Sequence, residues 1–332
     1  MRKTCLLLAL FVVGVLFQAP AFAASSSPKA GWPAHVRLLT GPNGGQWFVL
    51  GERMAEVLGK GMLPTTSRMG GGMANIASIN SSAGDMGFSL ACFLGASLSG
   101  EEEYKSINLD NTVLMANIYP QVLYFLLPRD FAEQHNIQSV KDLLQLRMPL
   151  RFASLKPGTA SEFILNLLFK YGYNTSFDKL REQGWITSFN NYAETADSFV
   201  AGEIDCFAYT AGTTVPLILL MEQHTDVVIL PVEEDVLKHL EKKFKTGTYV
   251  IEPGKYKSVT QPIQTLGDWT CILVRKNLPK DFVYEVNKIL WENRQYLSGS
   301  VEDFGMLSPQ TALPAGLEAH PGSVAFWKSL GK

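Results

Sequence analysis

The chain has 332 residues, 46% of them apolar, with 29 basic and 31 acidic side chains and a formal net charge of −2. That length can fill two compact domains or one large one. A near-neutral balance with no polybasic block argues against nucleic acid or an anionic membrane surface as partner.

Arg2-Lys3 followed by the apolar run Leu6 to Phe17 has the form of an export signal. The run is shorter than the ~20 residues of a membrane span. Ala21-Phe22-Ala23 supplies the small-x-small pattern of a signal peptidase site, so residues 1–23 are expected to be removed, with cleavage after Ala23. Cys5 precedes the apolar core, which argues against a lipid anchor, and no later stretch has the length and apolarity to insert in a membrane. Cys92, Cys206 and Cys271 each stand among apolar residues and are expected as buried free thiols.

Val36 to Thr40 reads as a buried strand ending at Gly41, and from Trp47 the positions Leu50, Met54 and Leu58 keep a helical period to Gly59. Thr65 to Met69 predicts the next strand, Gly70 to Gly72 a turn, and Met73, Ile76 and Ile79 the inner stripe of a second helix. Gly84-Asp85 breaks it ahead of Met86 to Ser89. The same order returns with Leu150 to Ser154, the turn Pro157-Gly158, and a helix from about Ser161 carrying Ile164, Leu168 and Tyr171 and stopped by Gly172. Trp185 to Phe189 follows as strand and Ala193 to Ala201 as helix; then Gly202-Glu203-Ile204-Asp205 precedes Cys206 to Tyr209 as Gly84-Asp85 precedes Met86.

This alternation predicts an α/β protein of two similar lobes, each a mainly parallel sheet flanked by helices. Val122 to Leu127 and Trp269 to Val274 read as the strands that cross between them. Lobe 1 would comprise residues 34–124 and 271–332, with a helix Phe282 to Tyr296 packed on it, and lobe 2 residues 125–270.

In open α/β sheets ligands bind beyond the carboxyl ends of strands, where helix N-termini offer free N–H groups. The expected cleft is therefore lined by Asn43, Gly44, Gly45, Gln46, Trp47, Gly71, Gly72, Asn75 and Ser89 from lobe 1. Lobe 2 contributes Lys156, Thr159, Ser161, Tyr192, Tyr209, Thr210, Gly212 and Thr213. Amides, hydroxyls and aromatic rings suit a small polar anion. Trp47 and Tyr209 stand equally as core aromatics or pocket walls. Arg68 and Lys156 either meet a ligand carboxylate or are solvated, ion-paired cations.

Metal-binding HExxH and paired CxxC patterns, a GxSxG elbow and a phosphate loop are all missing from the sequence, so no catalytic residue, metal or cofactor is expected. Gly70 to Asn75 is half of a dinucleotide fingerprint and lacks its third glycine. His320-Pro321-Gly322 reads as a turn.

Taken in order, these phrases resemble the TAXI group of solute receptors that serve TRAP secondary transporters. The resemblance rests on Gly41-Pro42-Asn43-Gly44-Gly45-Gln46-Trp47, Gly70 to Asn75, Gly84-Asp85 with Gly87-Phe88-Ser89, Tyr119-Pro120 and Ser139 to Leu143. It continues through Pro157 to Glu162, Gly202 to Asp205, Pro253-Gly254-Lys255-Tyr256 and His320-Pro321-Gly322. It implies a periplasmic binding protein fold of the second type, a periplasmic location, a TRAP membrane subunit as partner, and a small carboxylate such as glutamate or 2-oxoglutarate as ligand; a monomer is expected. Trp47-Phe48-Val49 and Thr159-Ala160-Ser161 depart from the Tyr-Tyr-Pro and Ser-Gly-Thr of many relatives, both in presumed pocket loops. A receptor feeding a sensor kinase, an exported enzyme and a surface adhesion protein are the alternatives.

Overall fold

The computed structural model describes residues 29–331; the expected signal sequence and its cleavage site lie outside them. The first half of the chain runs β1 (Val36–Leu39), α1 (Gln46–Gly61), β2 (Thr65–Arg68), α2 (Gly72–Asn80), β3 (Met86–Leu90), α3 (Ala91–Leu98), β4 (Thr112–Pro128), α4 (Arg129–Gln134) and α5 (Val140–Gln145). It continues with β5 (Arg151–Leu155), α6 (Ala160–Leu167), α7 (Phe177–Glu182), β6 (Ile186–Asn190), α8 (Tyr192–Val200), β7 (Cys206–Ala211), α9 (Pro216–Met221) and β8 (Val227–Ile229). The last elements are α10 (Glu234–Phe244), β9 (Gly247–Ile251), β10 (Ile263–Arg275), α11 (Lys280–Glu292), α12 (Arg294–Ser298) and α13 (Pro321–Ser329).

The strands lie in the order β2-β1-β3-β10-β4-β7-β5-β6, with β8 on β4 and β9 on β10. Each end of this path is a parallel trio, β2-β1-β3 and β6-β5-β7, closed by one antiparallel crossing strand. The two halves therefore repeat one topology, and the echo between Asp85 and Asp205 has a structural counterpart. Asp85 accepts from the Arg37 backbone N–H at 2.8 Å and pairs with its guanidinium; Asp205 accepts from the Arg151 N–H at 2.8 Å and pairs with that side chain. Each clamp joins the first strand of its lobe to the third.

The crossing strands are longer than the apolar runs that announce them. β4 is buried along almost its whole length, and a strand covered on both faces shows no polar alternation to mark its ends. It meets β10 with register shifts between Thr270 and Cys271 and between Ile272 and Leu273. The helix expected over Phe282 to Tyr296 is broken at Asn293, whose Nδ2 donates to the Ile289 carbonyl at 2.8 Å, so α11 and α12 are separate. Beyond α6 the chain widens into a π-turn over Leu168–Gly172. Cys92, Cys206 and Cys271 are buried and free. His320 caps α13, its Nδ1 accepting from the Gly322 N–H at 3.1 Å while Nε2 donates to the Leu278 carbonyl at 3.0 Å. Burial lowers its pKa.

Candidate functional site

Strand ends of the two parallel trios face each other, and the helices that follow them start at the gap. A cavity of about 870 Å³ lies there, walled by the starts of α1, α6, α8 and α9, by Gly71 just before α2, and by the segment Ser298 to Glu302. Neither α1 nor α2 has a side-chain cap, so their first-turn N–H groups are left for another acceptor. Helix macrodipoles add positive potential at the same place. Thr159 and Asn191 cap α6 and α8 by accepting from the N–H groups of Glu162 (3.3 Å) and Glu194 (2.9 Å), each worth about 1 kcal/mol.

Of the residues expected at the site, Gly44, Gly45, Gln46, Trp47, Gly71, Thr159, Ser161, Tyr192 and Thr210 line this cavity. Asn43 and Lys156 line a neighbouring one of about 380 Å³ that shares Pro42, Leu155, Thr159 and Tyr192 with the first. Others stand behind the walls. Asn75 is buried and its Nδ2 donates to the carbonyls of Thr40 (2.9 Å) and Phe88 (2.8 Å), tying β1 to β3. The buried Ser89 hydroxyl donates to the Gly72 carbonyl at 3.4 Å, and Gly72 itself abuts Phe93. Tyr209 packs against Tyr124, Tyr192 and Phe207. Arg68 is exposed at the end of β2, the edge strand of its lobe.

Gly212 and Thr213 belong to a bridge between the lobes. The Gln46 Oε1 accepts from the Gly212 N–H at 2.8 Å and its Nε2 donates to the Thr214 carbonyl at 2.9 Å. Asp303, buried, accepts from the Thr213 N–H at 2.8 Å, from the Thr213 hydroxyl, and from Gln46 Nε2 at 3.2 Å. Asp303 is invisible to sequence reasoning because its partners lie 89 or more positions away.

The floor contains a second unanticipated residue. Trp47, stacked on Phe88 with ring centroids 5.8 Å apart, donates its Nε1–H to Thr270 Oγ1 at 3.0 Å. A Trp nitrogen can only donate, so the Thr270 hydroxyl accepts there and passes its own proton to Gln121 Oε1 at 2.9 Å. Gln121 lies in the cavity wall at 6% exposure. With Oε1 so engaged, its Nε2 is the end left over, and among the described residues no protein group accepts from it. Trp47 is thus both core aromatic and pocket wall.

Among the described residues the larger cavity has no lysine or arginine in its lining, and Glu302 is the one charged side chain there. Val49, Leu155, Val215, Leu217, Leu219 and Leu220 make much of its surface. Among the described residues no group of His, Cys, Asp and Glu is placed to hold a metal ion, and no helix is long and apolar enough to cross a membrane. The lining sets hydrogen-bonding groups beside an apolar wall.

The family described as NMT1-like matches residues 38–331. Among solved structures, MatC from Rhodopseudomonas palustris with bound malate is 13% identical, with 91% of this chain and 100% of that chain covered and a TM-score of 0.51. The periplasmic binding protein BugD is 15% identical over 90% of this chain and 94% of its own, with a TM-score of 0.49. The alkanesulfonate-binding protein SsuA from Xanthomonas axonopodis pv. citri, bound to MOPS, is 12% identical over 91% and 92%, with a TM-score of 0.44. At such identities the likeness is one of fold: the chain has the two-lobed architecture of the periplasmic binding proteins.

Proposed function

The chain belongs to the NMT1-like family, and from that premise we propose that it is an extracytoplasmic solute receptor. It closes its lobes on a small organic anion, a carboxylate in the first instance, and hands it to a TRAP-type secondary transporter. The observation that carries the reading is the interlobe cavity at which helix starts from both lobes converge, with Gln46 and Asp303 joining the lobes beside it. N–H groups of α1 and α2, with the paired hydroxyls of Ser161 and Thr210, would replace the water that an acceptor-rich ligand gives up. No covalent step is needed. The transporter partner is supported by the ordered TAXI-like phrases from Gly41 to Gly322, and the export address by the N-terminal apolar run.

A thermal-shift screen of the purified protein, unfolded and refolded to strip carried ligand, tests the reading. A ligand at about a hundredfold excess over its Kd stabilises by ~2.7 kcal/mol. One class of organic acid should raise the melting temperature without being turned over. Turnover would make the chain an enzyme, and capture of a histidine kinase in place of a transporter subunit would move it to signalling.

A further inference from the structure

Resting on the receptor reading, we infer that the ligand is a monocarboxylate with a bulky apolar body, its carboxylate held at Gln121 and the neighbouring helix starts, and that dicarboxylates are poor ligands. The cavity of about 870 Å³ falls in the range that holds drug-sized molecules, far more room than a four- or five-carbon diacid fills. Its apolar wall from Leu155, Val215, Leu217 and Leu220 calls for an apolar body. A second carboxylate would lie against those side chains, where among the described residues Glu302 is the only charge in the lining; Lys156 lines the adjoining cavity and Lys255 reaches the wall only through Thr214, at 2.6 Å.

Gln121 Nε2 is held pointing away from Thr270 by the Trp47–Thr270–Gln121 relay, and it lacks a protein acceptor. Buried polar groups left unpaired are uncommon, and each calls for an explanation. An oxygen acceptor on the ligand supplies one.

Calorimetric titration of the stripped protein with octanoate and 4-phenylbutyrate, against glutarate and 2-oxoglutarate, tests this. The monocarboxylates should bind at least roughly tenfold more tightly, and Gln121→Leu should weaken them by roughly tenfold or more, the loss of one hydrogen bond to a charged group. Should Gln121→Leu not fold, Gln121→Glu serves: it keeps the acceptor for Thr270 but sets an anion against the ligand head, and the same loss is expected. Tighter binding of the diacids overturns the inference and leaves the receptor reading intact. Binding of neither series overturns both. Monocarboxylate binding indifferent to either substitution overturns the placement of the head at Gln121.

Discussion

Single buried carboxylates carry much of this molecule's specificity of form, and two of them make separable predictions. Asp303 gathers the Thr213 N–H and hydroxyl, the Thr214 N–H at 3.3 Å and Gln46 Nε2 at 3.2 Å. Asp303→Ala leaves those donors without their acceptor and should cost about 3 kcal/mol in urea unfolding; a loss under ~1 kcal/mol would mean that water serves them equally well. Asp268 lies where the crossing strands meet, 5% exposed, accepting from the N–H groups of Cys92 (2.9 Å) and Trp269 (2.7 Å). Burial pushes its carboxyl up to about 6, against the opposing pull of those hydrogen bonds. Folding therefore favours its protonated form. The group's contribution to stability is full below the ordinary carboxylate value near 4 and is lost as pH rises through about 6, on the order of 3 kcal/mol. Asp268→Asn removes the titration, so the wild-type minus variant stability should shrink by that amount between about pH 4 and pH 7. A difference flat with pH would show that Asp268 is ionised throughout.

At the scale of elements, each Arg–Asp clamp completes a short strand pairing: β1 meets β3 only through Leu38–Met86 and Leu39–Gly87, and β5 meets β7 through Phe152–Cys206 and Ala153–Phe207. The clamps differ in burial and partners. Asp85, with 1% of its side chain exposed, takes both Arg37 and Arg275, whereas Asp205 takes Arg151, whose side chain is 47% exposed. Burial alone would raise the Asp85 pKa; the Arg37 side chain and backbone N–H, with Arg275, bring it below its ordinary value. That contribution is present above the unfolded value near 3.8 and is lost as pH falls. Asp85→Asn should thus cost about 3 kcal/mol, having left two arginines short of a partner, and Asp205→Asn about 1 kcal/mol at its wetter site. Equal losses in chemical denaturation would refute the ranking. The strand, turn and helix order of the parallel trios was legible because period and glycine punctuation are local properties. β4 and β10 were legible only in part: Pro120 interrupts one, and burial on both faces erases alternation. The site divided in the same way. Helix starts such as Gln46 and Ser161 announce themselves by their turns, but Gln121 acquires its role from Thr270, 149 positions away, and the apolar wall of α9 reads as ordinary core.

Across the whole molecule, two kinds of contact join the lobes. One is aromatic, flanked by an ion pair: Phe93 and Phe163 have centroids 4.1 Å apart, Tyr104 stands edge-on to Phe244 at 5.8 Å, and Lys243 pairs with Glu101 at 2.6 Å beside them. The other is polar or backbone-only, through Gln46, Asp303 and the approach of Gly71 to Gly158. Polar contacts exchange for water at little net cost, whereas parting the aromatic rings exposes apolar area; opening should begin with the former. Gly71 allows that step to be isolated. Its φ of −163° is extended backbone open to any residue, and it occupies the N-cap position of α2, which serine favours. A Cβ there would lie 2.7 Å from the Gly158 carbonyl oxygen of the opposite lobe, closer than such atoms approach. Gly71→Ser should therefore leave the melting temperature of the ligand-stripped protein unchanged or slightly raised while wedging the lobes apart. With saturating ligand, small-angle scattering should give a larger radius of gyration than wild type, and affinity should fall by roughly tenfold, about 1.4 kcal/mol. Wild-type affinity in this variant would show that binding does not require the lobes to meet at Gly71, and would shift the work of closure to the Gln46 and Asp303 bridge.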